Sequence, residues 1–519
     1  MKWSQFWIWI FLDRGHSDKY REKKEAIDYR QEKNKQFWSE PNGLAPPLGN
    51  IMNPIDKPSI RPGENIPEDM IVEIEDAGLY LGLERKYGKG YYVGKRAEDD
   101  GNVLAVGING SGKSHILAKS MIETWQKPFV ALDFKGELSH HYRRLLREGR
   151  VKRKYIVFDP FDSNIPYDPF ALIRRDEVHL TQNANEIVNA IIPKPLNDPN
   201  SYWLDLARNL LSDVIVHCYS IGLDFIETMI VAVDISVSGL CRMIIGANSS
   251  RVKKSVKDIA EMKSEHQAII ATEMKRHLMN FATDQDIQDA LSNDKGKKSF
   301  SWEDIVTADD APNVFLRLSQ DRMEQWDGMI RLMLTRLIRT LERRPDKQSP
   351  QGRKINPILL LLDEFPLLGK MDAITNALTT LRSKKVTFCL MLQSIAQLDA
   401  VYGRDIRKII VDNCQYKALL NITEPDSQEY FSKLIGTVPI GRRSFSQSYN
   451  PTTDYSTYGR QIQEFREPLI LPHEFATNKD ILLHTPYGLL STIKLPVSET
   501  HLHVNDHKKI IQKYMEERR

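Results

Sequence analysis

The sequence predicts an α/β protein built on a parallel-rich sheet, and three observations carry that expectation. Short apolar runs at Val103 to Val106, Phe129 to Leu132 and Tyr155 to Phe158 alternate with stretches of helical pattern, the rhythm of a sheet with helices on both faces. Four consecutive leucines, Leu359 to Leu362, suit a strand buried on both sides in a parallel sheet. The segment Gly107 to Ser114, GINGSGKS, fits G-x-x-x-x-G-K-[ST] between the first of those strands and a helical stretch from His115 to Trp125, which is the context of a phosphate-binding loop.

Taken in order, residues 1–70 read as an aromatic segment, a charged helix from Ser17 to Phe37 and a proline-rich linker from Pro41 to Pro67 that wraps the core. Residues 71–175 read as the first part of the nucleotide-binding domain. The runs LYLGL and YYVGK, between Leu79 and Lys95, predict two small strands ahead of the sheet. Residues 176–300 read as an inserted all-α domain, with helices over Val178 to Ile192, Trp203 to Tyr219, Arg251 to Met279 and Ile287 to Ser292. Val231 to Ile245 is apolar but broken by Asp234 and Arg242, which favours a buried globular segment over a membrane span. Residues 301–519 read as the second part of the nucleotide-binding domain with a C-terminal tail. Its expected elements are a strand at Val314 to Leu318, a long helix from Asp321 to Leu341, a polar linker from Arg343 to Asn356, and strands at Val386 to Leu392 and Lys417 to Asn421. Gly441 to Gln463, rich in Ser, Tyr and Thr, reads as a mobile surface loop. No internal repeat is present.

Composition narrows the function classes. The chain has 519 residues, 41% hydrophobic and 27% charged, values of a folded, soluble protein. A formal net charge of +3 gives no global basic field, so any nucleic-acid contact is local. The densest basic cluster is Arg143, Arg144, Arg147, Arg150, Lys152, Arg153 and Lys154. It reads either as a phosphate track or as a solvated helix end ahead of a strand. The four cysteines, Cys218, Cys241, Cys389 and Cys414, are far apart, which fits a reducing compartment and excludes a C-x-x-C metal or redox motif. There is no H-E-x-x-H helix and no G-x-S-x-G elbow. Near the N-terminus, Phe6 to Leu12 (FWIWIFL) are seven consecutive apolar residues, too few for a span of about 20. They read as an insertion into a membrane interface or partner groove, or as packing on the protein's own core.

The chemistry comes from two segments. In the loop, Gly107, Ile108, Asn109, Gly110, Ser111 and Gly112 bring closely spaced main-chain N–H groups to a phosphate chain, with side chains at the glycines expected to obstruct. Lys113 adds a mobile positive charge, and Ser114 is placed to ligate Mg²⁺. The β- and γ-phosphates of ATP then lie at the N-terminus of the helix entered through Ser114 and His115, where unpaired N–H groups favour anions. In the second segment, LLLLDEFPLLGK, Leu359 to Lys370, the leucine strand ends in Asp363 and Glu364, and ligands bind at such strand ends. Asp363 is expected to hold Mg²⁺ and Glu364 to polarise the attacking water.

Several further segments line up in order: ALDFKGEL (Ala131 to Leu138), IVFDPFDSNIPYDPF (Ile156 to Phe170), MLQSIAQLDAVYG (Met391 to Gly403), DNCQYKALL (Asp412 to Leu420) and YFSKLIG (Tyr430 to Gly436). With the two nucleotide motifs they resemble the type IV secretion coupling proteins, the TraG/TraD family of conjugation ATPases, over about Tyr80 to Val497. The D-x-K-G-E and Q-S-x-A-Q-L-x-x-x-Y-G segments are the more specific part.

The resemblance implies a RecA-like P-loop ATPase domain with an all-α domain facing the cytoplasm. It also implies a homo-hexameric ring under the secretion channel that delivers single-stranded DNA with its relaxase, or secreted protein substrates. Channel ATPases and inner-membrane subunits are the implied partners. On those terms Gln393 matches a polar residue able to sense the γ-phosphate, and Arg382 is the candidate arginine finger for a neighbour's nucleotide. Asp133, Lys135 and Glu137 are expected to line the nucleotide side of the sheet. Most members begin with two transmembrane helices, and the expectation here is a chain with no integral span, cytoplasmic or peripheral at the inner face of the cytoplasmic membrane. The leading expectation is a translocase driven by ATP hydrolysis; the alternative is a recruiting adaptor that uses ATP only as an assembly switch.

Overall fold

The computed structural model describes residues 60–85, 90–162, 164–193, 201–247, 254–292, 298–307, 310–346, 355–450, 455–497 and 507–516. The aromatic start from Phe6 to Leu12, the charged segment from Ser17 to Phe37 expected to be helical, and most of the expected proline-rich linker lie outside them.

The strands follow the apolar runs. A three-stranded antiparallel sheet forms from β1 (Ile71–Glu73), β2 (Gly78–Gly82) and β3 (Tyr91–Arg96), with β3 in the middle. Among the described residues the central sheet has nine strands. Its members are β4 (Val103–Val106), β5 (Phe129–Leu132), β6 (Tyr155–Phe158), β7 (Asn313–Leu316), β8 (Ile358–Leu362), β9 (Val386–Leu392) and β10 (Tyr416–Leu419), with β13 (Ile481–Thr485) and β14 (Gly488–Thr492). The spatial order is β14-β13-β10-β4-β9-β8-β5-β7-β6. From β10 to β6 every neighbouring pair is parallel, whereas β13 and β14 close one edge as an antiparallel hairpin.

Strands β4, β5, β8 and β9 are buried at every position, and alternate side chains enter two different cores. Leu104, Val106, Val130, Leu360 and Leu390 face a core shared with helical residues such as Leu210, Phe281, Trp302 and Trp326. Val103, Ala105, Phe129, Leu359 and Met391 face the other core, with Leu117, Met121, Trp125 and Tyr142 and the small sheet's Leu79 and Tyr92. The helical residues between β6 and β7 therefore pack against one sheet face rather than around an isolated centre.

Among the described residues, every named element between β6 and β7 is a helix. The apolar run Val231 to Ile245 is split: one helix, Phe225–Asp234, is opened by a capping box of Asp224 and Glu227. A second, Val237–Gly246, is capped by the Ser236 hydroxyl, which accepts from the Gly239 N–H at 3.2 Å. Arg251 to Met279 likewise resolves into Lys254–Ala260 and Ser264–Thr283. The long helix runs over Met323–Glu342. Its Arg336, 1% exposed, donates to Glu186 at 2.7 Å and Glu303 at 2.9 Å, fastening the helices on either side of it.

One expectation is overturned. The described residues of Gly441 to Gln463 are strand rather than loop: β11 (Thr437–Asn450) and β12 (Tyr455–Pro468) pair as a two-stranded sheet. The composition misleads because the Ser and Gln residues alternate with Phe445, Tyr449, Tyr458 and Ile462, residue types that favour extended backbone. Val438–Glu467 belongs to a compact unit separate from the one that holds the central sheet.

Candidate nucleotide site

The phosphate-type loop leaves β4 and is pinned to the carboxyl ends of the two strands that flank it. Gly107 donates its N–H to the Leu392 carbonyl at the end of β9, 3.2 Å away, and Ile108 donates to the Asn421 carbonyl just past β10, at 3.0 Å. Gly110 and Gly112 then take left-handed φ values of 77° and 96°, conformations costly for residues with a Cβ. A Cβ on Gly107 would lie 2.6 Å from Ser111 Oγ and 2.9 Å from Leu420 Cβ, and one on Gly112 2.7 Å from Ile116 Cδ1. At Gly110 no described residue lies within 4 Å of such a Cβ, so there the requirement is conformational and the expected obstruction is absent among the described residues.

The loop feeds a helix whose first turns, Lys113–Ala118, are wound as a π-helix before Lys119–Thr124 continues as an α-helix. Lys113 is 4% exposed, and its ammonium donates to the loop's own carbonyls, Gly107 O at 2.6 Å and Ile108 O at 3.2 Å. Burial pushes its pKa below the usual lysine value; Glu364 and Asp363 work against that shift and Lys135 adds to it. Beside it the Ser114 hydroxyl donates to Asp363 Oδ2 at 2.7 Å. Burial raises the Asp363 carboxyl, opposed by that hydrogen bond.

At the end of β8 the backbone reverses abruptly. Glu364 sits at φ 49° and ψ 45°, a left-handed conformation rare outside glycine, which turns its carboxylate toward β9. There Gln393 Nε2 donates to Glu364 Oε2 at 3.2 Å, and the Gln393 N–H is held by Gln397 Oε1 at 3.0 Å. Lys113, Ser114, Asp363, Glu364 and Gln393 thus meet at the carboxyl edge of three adjacent strands, β4, β9 and β8.

In the D-x-K-G-E segment Lys135 acts electrostatically on Lys113, and the two acids are engaged within the fold. Asp133 accepts from the N–H groups of Leu138 at 3.1 Å and Ser139 at 2.8 Å, capping the helix Glu137–Arg147, and Glu137 pairs with Lys119 at 3.2 Å. Arg382 lies away from this chain's own loop. It precedes β9 in the turn Leu381–Lys384, so the seven residues of β9 separate it from Gln393 by about 23 Å. Its side chain is 60% exposed and meets Asp100 at 3.4 Å. The basic cluster is partly taken up by the fold: Arg150 pairs with Glu123 and with Glu148, and Arg153 donates to the Ala311 carbonyl.

The donor set fits a nucleoside triphosphate with a divalent cation. Among the described residues the buried Ser111 Oγ in the loop has no hydrogen-bond partner, the Lys113 ammonium is lodged on the loop's own carbonyls, and a hydroxyl and a carboxylate converge at Ser114 and Asp363, oxygen ligands of the kind that suits Mg²⁺. The sequence reading missed Asn421 and Lys494. The Lys494 ammonium donates to Asn421 Oδ1 at 3.1 Å, and its Cε lies 3.0 Å from where a Gly112 Cβ would be. Both residues reach the loop through the edge of the sheet whose last hairpin, β13 and β14, the sequence reading did not place.

The family described as type IV secretory system conjugative DNA transfer matches residues 63–483. The conjugal transfer protein TraG of Escherichia coli is 23% identical over 421 residues, covering 77% of this chain and 65% of that protein. The protein VirD4 of Rhizobium rhizogenes is 24% identical over 377 residues, covering 72% and 54%. The chain therefore spans about two thirds or less of the length of these relatives. In three dimensions it superposes on the bacterial conjugative coupling protein TrwB with a TM-score of 0.59 at 17% identity, covering 76% of this chain and 84% of that one. The form of TrwB in complex with ADP and Mg²⁺ superposes with a TM-score of 0.58. No helix among the described residues is long and apolar enough to cross a membrane. With the family matching most of the chain and a RecA-like P-loop fold shared with TrwB, this chain belongs to the type IV secretion conjugative DNA-transfer family, the coupling proteins.

Proposed function

We propose that the chain is an ATPase that couples hydrolysis to delivery of a DNA–relaxase complex, or of protein substrates, into a type IV secretion channel. The observation that carries this reading is the convergence of Lys113, Ser114, Asp363, Glu364 and Gln393 on one loop mouth. A pure binding module has no need of a carboxylate held ready beside the phosphate site.

Each residue then has a task. Lys113 exchanges its two loop carbonyls for the β- and γ-phosphate oxygens of ATP. Ser114 and Asp363 hold Mg²⁺, which when bound neutralises charge on the phosphates. Glu364 takes the proton of the attacking water, and Gln393, bonded to that carboxylate, fixes its orientation and reports on the γ-phosphate. His115 and the loop N–H groups from Ile108 to Gly112 complete the cradle. Arg382, remote from its own loop, acts on a neighbour's nucleotide in a homo-hexamer. The chain works at the inner face of the cytoplasmic membrane with the channel's ATPases and inner-membrane subunits, held there through FWIWIFL or a partner. The conjugal-transfer relatives and the nucleotide complexes of TrwB support this assignment.

The test is ATP hydrolysis with and without single-stranded DNA across a range of protein concentrations. Stimulation of several-fold by DNA, with specific activity rising as rings assemble, is expected. Hydrolysis indifferent to DNA and to concentration would favour a recruiting adaptor that uses ATP as a switch.

A further inference from the structure

We infer that Tyr402 is a positioning residue for hydrolysis, acting on Glu364 through the turn that follows it. The inference rests on the reading of Glu364 as the base. Tyr402 is the tyrosine of Q-S-x-A-Q-L-x-x-x-Y-G, a segment whose far end the nucleotide site leaves unexplained.

Glu364 adopts a left-handed backbone conformation that a residue with a Cβ holds only when its surroundings over-determine it. On its amino side the constraint is β8. On its carboxyl side lies the turn Phe365–Leu368, followed by Gly369, Lys370 and Met371. Tyr402 grips that stretch at three points. Its ring stacks on Phe365 with centroids 5.7 Å apart and planes inclined by 15°. Its hydroxyl donates to the Gly369 carbonyl at 3.2 Å and accepts from the Met371 N–H at 3.3 Å. Phe365 is fully buried and Tyr402 is buried beside it. From the other side, Arg331 on the long helix donates to the Lys370 carbonyl at 2.9 Å.

The spacing in the motif now has a cause. The helix Ile395–Tyr402 begins just after Gln393, and its eight residues are about 12 Å long. Gln393 at one end touches the Glu364 carboxylate, while Tyr402 at the other holds the turn that follows Glu364. One short helix thereby constrains the base through its side chain and through the segment that leaves it. Loss of the hydroxyl removes the partner of the Gly369 carbonyl and of the Met371 N–H, loosening the turn and letting the carboxylate wander from the attacking water, which harms the chemical step and leaves nucleotide binding alone.

The experiment uses the full chain with Tyr402→Phe, which keeps the ring stack, alone and combined with Glu364→Gln. Expected are a kcat about tenfold lower, unchanged KM for ATP, unchanged ADP affinity and a melting temperature close to wild type. In the Glu364→Gln background, long single-turnover assays should show no further loss from Tyr402→Phe, because residues acting through one group are not additive. An unchanged kcat, a raised KM with kcat intact, or a full tenfold loss persisting in the Glu364→Gln background each overturns the inference. Wild-type hydrolysis by Glu364→Gln itself would instead sink the base assignment, and the two failures are thereby distinct.

Discussion

The helix that starts at Lys113 and ends at Thr124 carries a buried ionisable cluster at each end, and the two differ in what surrounds the charges. At its start, Lys113 and Asp363 are both shifted toward neutrality by burial. At its end, burial raises the Glu123 carboxyl to about 7 despite the Arg150 guanidinium beside it, and on the neighbouring helix His141 is lowered to about 3. By pKa alone the second cluster is the more perturbed, so perturbation does not single out the site. Position in the sheet does: the first cluster lies where the glycine loop after β4 meets the carboxyl ends of β8 and β9, whereas at the other end of the helix Glu123 meets a guanidinium and Arg144 donates to His141 Nδ1.

The largest effects should separate the two ends outright. On the proposed roles, Lys113→Ala removes the mobile cation and Glu364→Gln the proton acceptor, and each should lower ATP turnover at least 100-fold, the usual scale for general-base and electrostatic groups. Lys113→Ala should also weaken nucleotide binding, while Glu364→Gln binds ATP and stalls. Glu123→Gln, which keeps a hydrogen-bond acceptor for Arg150, should leave kcat within about twofold of wild type. Steady-state hydrolysis with a fluorescent-nucleotide titration measures all three. Unimpaired turnover in Glu364→Gln, or collapse in Glu123→Gln, would break the contrast.

The first end was legible because its constraints are local. A glycine pattern, one lysine and one serine between a strand and a helix specify the loop, and an apolar run closing in Asp363–Glu364 specifies the strand end facing it. The parallel strands β4, β5, β6 and β9 were legible to the residue for the same reason. What escaped depends on distant packing. Nothing near Asn421 or Lys494 says that they reach the loop, since each does so through the sheet edge built by β10, β13 and β14. The break at Ser236 in an apolar run lay in a single capping hydroxyl, and the β11–β12 pairing was hidden by polar composition. The second end was not legible either, because Glu123 and His141 become unusual only once two helices bury them together.

A third group of charges, at the opposite edge of the sheet, sharpens the comparison because its Arg382 is exposed. Arg382 is paired with Asp100, and Lys385 with Glu98. Exposed pairs of this kind contribute about 0–1 kcal/mol, so Arg382→Ala should scarcely move the melting temperature. If a neighbour's nucleotide is its target, the same variant should lower turnover at least tenfold, and mixed into wild type it should depress activity more than dilution explains. Loss proportional to the mixing ratio, with specific activity independent of protein concentration, would return Arg382 to the ordinary surface.

The smallest expected effect belongs to the buried end, where the signs are opposed. His141 is 8% exposed; burial, then Arg144, Lys119, Arg150 and His115 hold its pKa at about 3, against about 6.5 in the unfolded chain. Between those values the unfolded state binds more protons, so the stability His141 contributes is complete above about pH 6.5 and is lost as pH falls toward 3. Glu123, raised from 4.5 to about 7, runs the other way: in the folded state it holds a proton that the unfolded chain has released, so stability falls as pH rises through that window. Across about pH 4.5 to 6.5 the two largely cancel in wild type. His141→Asn keeps an uncharged acceptor for Arg144 and cannot protonate. Relative to wild type, it should therefore gain stability as the pH falls through this window, by up to about 1 kcal/mol per pH unit. Denaturant unfolding of both proteins at a series of pH values gives the difference directly. Parallel curves would mean that His141 titrates normally and that the second cluster is less buried than its geometry requires.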